Sequence, residues 1–538
     1  MSVATEVTVS HQESPELPRR VVIASMAGVV SVMLLAALDG TIVGTAMPRV
    51  IAELNGFQHY ASVTTVYMLA ATVVVPIVGK LSDLYGRKPF LLAGVAIFVV
   101  GSALCGLAQS MVALIVFRGI QGVGGGIAQG MAFTTIADLF PPARRGRISG
   151  VMGATFGLAS VIGPAIGGYL TEGPGWRWCF FVNLPIGVVA FLVLLFAFPH
   201  IVADRRNRRI DWLGALTLTL GVVPLLLALT WGGRDYPWRS FETLSLLSGG
   251  LVMIAIFIIL QFRTPDGIMP PALFRNRVVW TASAASTLMS VGMFGSILFI
   301  PLFIQGVIGR SPSESGAVMT PMMFALIFAS IMTGQVVTRL GRYKTLGVVG
   351  MSVTTAGMFL LSRMDVSTSY TLVVVNMMVV GVGLGMTLPV FNLAVQNAVD
   401  IAQVGVATSS VQFLRSIGGS LGTAVFGAVM ANRFGSAFQQ ALPRDVASRI
   451  PPAVLSAFAS PQALMDPEVT SRLGADPAML EQMRPVLAAV KTSLSVSLHD
   501  VFLMGTIIAA VGIVFAQMLI DVPLRKSNIR RAPPAEGR

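Results

Sequence analysis

Charge is scarce in this chain. Of 538 residues only 11% are Asp, Glu, Lys or Arg, against about 25% in a soluble domain. With 54% hydrophobic residues and a mean hydropathy of +0.78, a water-soluble fold would leave large apolar patches exposed and would aggregate. Cysteine is nearly absent: Cys105 and Cys179 alone exclude a disulfide scaffold and a CxxC metal site. The four histidines, His11, His59, His200 and His499, stand far apart, so no metal centre is expected. A phosphate-cradling P-loop, an HExxH helix and a nucleophile triad are also missing. The chain is therefore read as no enzyme and as needing no cofactor. Energy for any vectorial work has to come from an ion gradient.

What is present is a series of long apolar runs. A run of about 20 residues crosses the hydrocarbon core as a helix. Fourteen such runs are read at 21–47, 61–81, 89–108, 111–138, 149–171, 180–199, 211–231, 242–262, 278–304, 315–338, 344–362, 370–397, 406–431 and 499–521. They lack two-residue alternation and are twice too long for barrel strands. The fold class is an all-α polytopic membrane protein. No cleavable signal is expected, since the first twenty residues are polar and the first run is long and holds Asp39.

The net charge of +13 would suggest nucleic acid in a soluble protein. Here its placement matters more. With the N-terminus inside, the inner segments hold 23 basic residues and the short outer loops hold 6. That bias puts both termini in the cytoplasm and makes nucleic-acid binding a poor reading.

An internal repeat is visible. Gly79-Lys-Leu-Ser-Asp83-Leu-Tyr-Gly86-Arg87-Lys88-Pro89 is echoed by Gly334-Gln-Val-Val-Thr338-Arg-Leu-Gly341-Arg342-Tyr-Lys344, an offset of 255 residues. The same offset carries the first run onto the ninth, the fourth onto the twelfth and the fifth onto the thirteenth. The arrangement is 6+2+6, two half-bundles in parallel repeat, which suits a transporter rocking about a midplane site. The reading divides the chain into a cytoplasmic tail at 1–20, a six-helix bundle at 21–199, two inserted helices with their loops at 200–277, a second bundle at 278–521 and a cytoplasmic tail at 522–538. A long outer loop at 432–498 interrupts the second bundle, with amphipathic stretches at Pro451–Phe458 and Ala478–Val490.

Four motifs carry a family resemblance over about residues 20–525. Gly79–Pro89 resembles the signature loop of the major facilitator superfamily. Leu114, Arg118, Gln121, Gly122 and Gly124 resemble its fourth-helix motif. Gly150, Ala159, Gly163, Pro164, Gly167 and Gly168 resemble the fifth-helix antiporter motif, with Ala159 where Gly is usual. Leu38-Asp39-Gly-Thr41 through Pro48 resembles the first-helix motif of the fourteen-helix drug:proton antiporters, with Gly44 where Asn is usual. The resemblance implies multidrug efflux by proton antiport, a bacterial cytoplasmic membrane, small amphipathic substrates of cationic or lipophilic character and coupling roles for Asp39 and Arg118. A GC-rich bacterium is suggested by the excess of Arg over Lys, 32 to 5.

Read physically, Asp39 is the only acid well inside a run, where a charge costs roughly 2.5–3.5 kcal/mol. It must face the bundle interior. Arg118 lies at a matching depth, so the two are expected to pair, directly or through Gln121 or a water, as a proton switch or as a static ion pair. Asp83 is expected to accept N–H bonds at the start of the thirteenth run, forming a breakable gate with Gly79, Gly86, Arg87 and Lys88. The two basic residues would meet inner acids such as Asp138. The small residues of the fifth run suit close packing or a hinge at Pro164, and Gly122, Gly124, Gly125 and Gly126 are expected to pack against it. Arg415, Gln121, Gln305, Asn392 and Gln396 are candidate pocket groups. Membrane lipids are expected neighbours and the unit is read as a monomer. The rival functions are export of a lipid or cell-envelope precursor on the same fold and, more remotely, a passive channel or receptor.

The orientation generates a test. Single cysteines placed between 451 and 490 are expected to react with an impermeant thiol reagent added to intact cells. Protection there, with labelling only after lysis, would invert the topology.

Overall fold

The computed structural model describes residues 18–54, 60–140, 142–199, 210–233, 236–264, 266–443, 455 and 477–524. Among the described residues, fourteen helices are long and apolar enough to cross a membrane: α1 Arg19–Leu54, α2 Ser62–Tyr85, α3 Arg87–Gly106, α4 Met111–Leu139, α5 Ile148–Glu172, α6 Trp178–Ala197, α7 Trp212–Trp231, α8 Phe241–Arg263, α9 Arg277–Ile308, α10 Glu314–Leu340, α11 Lys344–Ser362, α12 Tyr370–Ala398, α13 Ile401–Ala441 and α14 Met483–Met518. Large apolar side chains such as Val112, Phe196, Phe262 and Phe328 point outward, which only a hydrocarbon surround favours. The protein is a multi-pass membrane protein.

Local chemistry sets several helix boundaries. Ser110 accepts from the Ala113 N–H and starts α4, and Ser240 accepts from the Thr243 N–H and starts α8. Gly86, at φ 92°, makes the sharp turn between α2 and α3 that a side chain would strain. Between α9 and α10, Ser311 and Glu314 form a reciprocal capping box.

Packing repeats between the halves. In the first, α1 packs on α5 and α6, α4 on α2 and α3, and α3 on α6. In the second, α9 packs on α13 and α14, α12 on α10 and α11, and α11 on α14. Each pairing maps onto its partner by adding eight to the helix number. The halves meet through two related pairs, α2 with α13 and α5 with α10. The inserted helices α7 and α8 pack on each other, and α7 leans on α2 and α13. One apolar cluster joins Leu69 and Val73 of α2, Leu218 and Val222 of α7, Phe257 of α8 and Phe413 of α13. The inserted pair thus covers one of the two seams.

Backbone approach between helices depends on missing side chains. A Cβ at Gly124 would lie 2.4 Å from the Phe98 nitrogen on α3, and one at Gly126 would lie 2.4 Å from the Ala71 oxygen on α2. Gly122 and Gly125 face Tyr67 of α2. This corrects the expected packing of these glycines on α5. Instead, α5 spends its first small residues on the other half: Gly150 abuts Ser330 and Ile331, and Gly157 abuts Ile327. Its later ones, Gly163 and Gly167, press on Thr41 and Thr45 of α1, while Gly168 meets nothing within 4 Å.

The long loop also needs correction. Helix α13 runs on to Ala441 and the helix containing α14 begins at Pro477, so both flanks of 432–498 are helical. The stretch Ala478–Val490 belongs to α14, whereas Pro451–Phe458, Leu455 excepted, lies outside the described residues. The extensions bury Phe434, Phe438, Met483, Val486 and Val490, and Arg433 Nε reaches Asp500 at 2.6 Å. Their mixed polarity hides them from a hydropathy window.

Two glycines test the packing. Gly124→Val is expected to destabilise the protein by about 1–3 kcal/mol, the usual range for overpacking. Gly44→Ala should be neutral, because Gly44 has open space before it. Thermal unfolding of the purified variants in detergent distinguishes them; equal midpoints would contradict the backbone contact.

Candidate functional site: a buried ion pair and a gate

Inside the first half, Asp39 is 0% exposed and Arg118 1%. Arg118 Nη1 donates to Asp39 Oδ2 at 2.6 Å and to Gln121 Oε1 at 2.8 Å. Gln121 Nε2 donates to Asp39 Oδ1 at 2.7 Å, and Asn183 Nδ2 donates to the same oxygen at 3.0 Å. Asn183 also donates to Ser102 Oγ at 3.1 Å. The Arg118 guanidinium lies 4.2 Å from the centre of the Tyr67 ring, a favourable place for a desolvated cation. The pair is direct, and Gln121, expected as a pocket group, belongs to it.

The cluster draws on α1, α4 and α6, with Ser102 from α3 and Tyr67 from α2. Its dense spacing relies on Gly101, where a Cβ would lie 2.7 Å from the Gln121 backbone. Asn183 and Tyr67 were not anticipated. Asn183 had a faint signal as an amide inside an apolar run; Tyr67 had none.

At the end of the bundle where α1 begins, called here the near end, α2 meets α13. Asp83 Oδ2 accepts from the Val406 N–H at 2.8 Å, in the first turn of the α-helical part of α13. Asp83 also pairs with Arg87, and Arg87 Nε donates to Asp138 Oδ2 at 2.7 Å. Gly405 leaves room for this carboxylate, since a Cβ there would lie 2.2 Å from Asp83 Oδ1. Gly79 does the same opposite Ser409. Among the described residues no acid pairs with Lys88; its Nζ donates to the Phe198 oxygen at 2.8 Å. A further bond crosses the halves here, from Gln396 Nε2 to the Phe133 oxygen at 3.2 Å. Arg145, 2% exposed, caps the end of α4 through the Ala137 and Phe140 oxygens at 2.8 Å each.

The expected pocket groups do not form one pocket. Gln305 sits at the far end in the π-helical turn Phe303–Ile308, and its Nε2 donates to Ser315 Oγ at 3.1 Å. A polar partner near the loop, rather than the core, captures it. Asn392 is buried on α12. Gln396 and Arg415 both approach Phe133 of the first half.

A two-fold repeat of six membrane helices, two helices inserted between, and a carboxylate–guanidinium pair sealed in the first half are the build of a multi-pass transporter. The family model of the Major Facilitator Superfamily matches residues 29–423. The chain is 42% identical over 516 residues to the multidrug transporter protein MdtP of Bacillus subtilis, covering 93% of each. It is 39% identical over 402 residues to multidrug resistance protein 3 of the same organism, covering 75% of this chain and 78% of that one. Among solved structures it resembles the proton:xylose symporter XylE, with a TM-score of 0.57 at 13% identity over 77% of this chain and 90% of the other. It also resembles human MFSD10, titled an organic anion transporter, with a TM-score of 0.56 at 14% identity over 92% and 100%. These two likenesses concern the fold alone. The chain belongs to the major facilitator superfamily.

The buried pair generates a prediction. Breaking a buried ion pair on one side costs about 3–5 kcal/mol, because the other charge is left uncompensated. Arg118→Leu should therefore lower the unfolding midpoint strongly. The double variant Asp39→Asn/Arg118→Leu should lower it less, since no orphan charge remains. A double variant as unstable as the single one, or more so, would deny that the two charges depend on each other.

Proposed function

We propose that the protein is a proton-coupled antiporter that exports amphipathic, lipophilic compounds across a bacterial cytoplasmic membrane by alternating access. The near end is the cytoplasmic side and both termini lie there, as the basic residues argue. The observation that carries the reading is Asp39, a membrane-embedded carboxylate enclosed by one guanidinium and two amides. Multidrug transport in the relatives supports the substrate class.

Asp39 holds a proton or a charge, and Arg118 decides which. The guanidinium lies 2.6 Å from Asp39 Oδ2, so a proton and Arg118 compete for the same carboxylate oxygen. Protonation removes the counter-charge that keeps Arg118 in place and loosens α4 against α1. Gln121 and Asn183 still offer N–H groups to the neutral acid, so Asp39 stays in position while the cation moves. The near end is shut here by Asp83 on the α13 backbone, Arg87 on Asp138 and Gln396 on α4. Toward the far end Gly40 and Gly44 of α1 face open space. A conformer shut at the near end is the one that releases substrate outward. Inward opening requires the two contacts that cross between the halves, Asp83 on α13 and Gln396 on α4, to part. The exporter works as a monomer, without a cofactor, on the proton gradient.

Purified protein in vesicles with an imposed pH gradient tests the reading. The wild type is expected to transport lipophilic dyes, and Asp39→Asn, assayed below its lowered unfolding midpoint, to fall to the rate of empty vesicles. Proton release on dye addition to detergent-purified protein should vanish in the same variant. Release equal to wild type would place the proton elsewhere and sink the mechanism.

A further inference from the structure

The mid-membrane charges are unequal in availability. Asp39 and Arg118 neutralise each other out of reach of solvent. Arg415 of α13 is partly exposed. Among the described residues no carboxylate pairs with it. Its Nη2 is tied only to Gln412, one turn back on the same helix, and its guanidinium lies 5.9 Å from the Phe133 ring of α4. Phe133 belongs to the opposite half, so Arg415 points into the space between the halves and not toward lipid. Thr408 and Gln412 lie on the same stripe of α13, and Gln396 of α12 reaches both Thr408 and the Phe133 oxygen. The result is a polar floor, just above the near-end gate, ending in an uncompensated cation beside an aromatic ring.

We propose that Arg415 is the head-group site of the transport path and that it selects amphiphiles carrying an anionic group: a carboxylate, sulfonate or phosphate. This rests on the export reading above and adds its substrate class. A guanidinium inside a membrane needs an anion. Asp39 does not supply one, because its charge is already met by Arg118 inside the first half. Gln412 holds one arm of the guanidinium and leaves other N–H groups to grip an oxyanion in the paired manner Arg favours. Phe133 gives the adjoining apolar body a surface to lie on. Cationic amphiphiles are disfavoured at this floor by like charge.

The test uses the full chain in vesicles of zwitterionic lipid and three dyes sharing one aromatic body: a carboxylate, its carboxamide and its amine. Wild type is expected to bind the carboxylate most tightly. Arg415→Gln should weaken the carboxylate by about tenfold or more and the carboxamide by no more than about twofold, the difference expected for loss of one charge-assisted hydrogen bond. Arg415→Lys should fall between. Adding phosphatidylglycerol separates the sources: competition that Arg415→Gln abolishes means a lipid phosphate takes the site, and its absence means the exported dye does. Equal losses for carboxylate and carboxamide in Arg415→Gln would make the residue structural and overturn the proposal. Export of the amine alone, driven by the pH gradient and indifferent to Arg415→Gln, would overturn the proposal while leaving proton-driven export standing. No pH-driven export of any dye by wild type would overturn both.

Discussion

A carboxylate cannot stay charged in hydrocarbon without a cation beside it, and most of the first half is arranged around that fact. Asp39 draws Arg118 and Gln121 from α4 and Asn183 from α6 to within hydrogen-bond reach. For these to converge, α4 must sit close to α1, α2 and α3 at once. The glycines of α4 permit this by removing side chains where Tyr67, Phe98 and Ala71 approach. The same electrostatic demand therefore sets the helix packing around the site.

The gate follows different physics. Helix termini carry unpaired N–H groups, and α13 offers one of them to an acid on another helix. Asp83 caps α13 across the seam, 323 residues away in sequence. The repeat places Thr338 where an equivalent acid would stand, and its hydroxyl bonds to Gly334 of its own helix. The two seams thus differ: at the one between α5 and α10, Gly150 and Gly157 close the gap by packing. The charged contact belongs to the α2–α13 seam, beside its apolar cluster. The inserted helices lie over that same seam, joined to it through Leu218, Val222 and Phe257.

Among the described residues the second half shows no acid–base cluster in the middle of its spans. Its near end is tied instead by Asp521, whose Oδ1 accepts from the Tyr343 and Lys344 N–H groups at 3.1 and 2.8 Å and so caps α11. Charge is placed unevenly: among the described residues an ion pair is sealed within the first half, and Arg415 stands between the two halves beside Phe133.

The number of spans, the repeat and the depth of Asp39 and Arg118 were legible in the sequence, because hydrocarbon thickness imposes a length, gene-level repetition leaves a fixed offset, and a rare buried charge stands out against an apolar run. The reach of Asp83 to the start of α13 was legible for the same reason, through the motif and its spacing. Other features depended on which faces of distant helices meet. That Gly122, Gly125 and Gly126 serve α2 rather than α5 could not be read from composition, since a small residue permits close approach without naming its partner. Asn183 and Tyr67 joined the ion pair only through the fold, and Gln305 left the expected pocket because Ser315 stood nearer. The amphipathic stretch Ala478–Val490 was legible in the sequence, but not that it continues into α14, because amphipathic helices dilute a hydropathy average. Sequence determines which residues the membrane will not tolerate alone; only the packed bundle decides which neighbour each of them finds, because that neighbour is set by helix rotation and tilt, which no local pattern encodes.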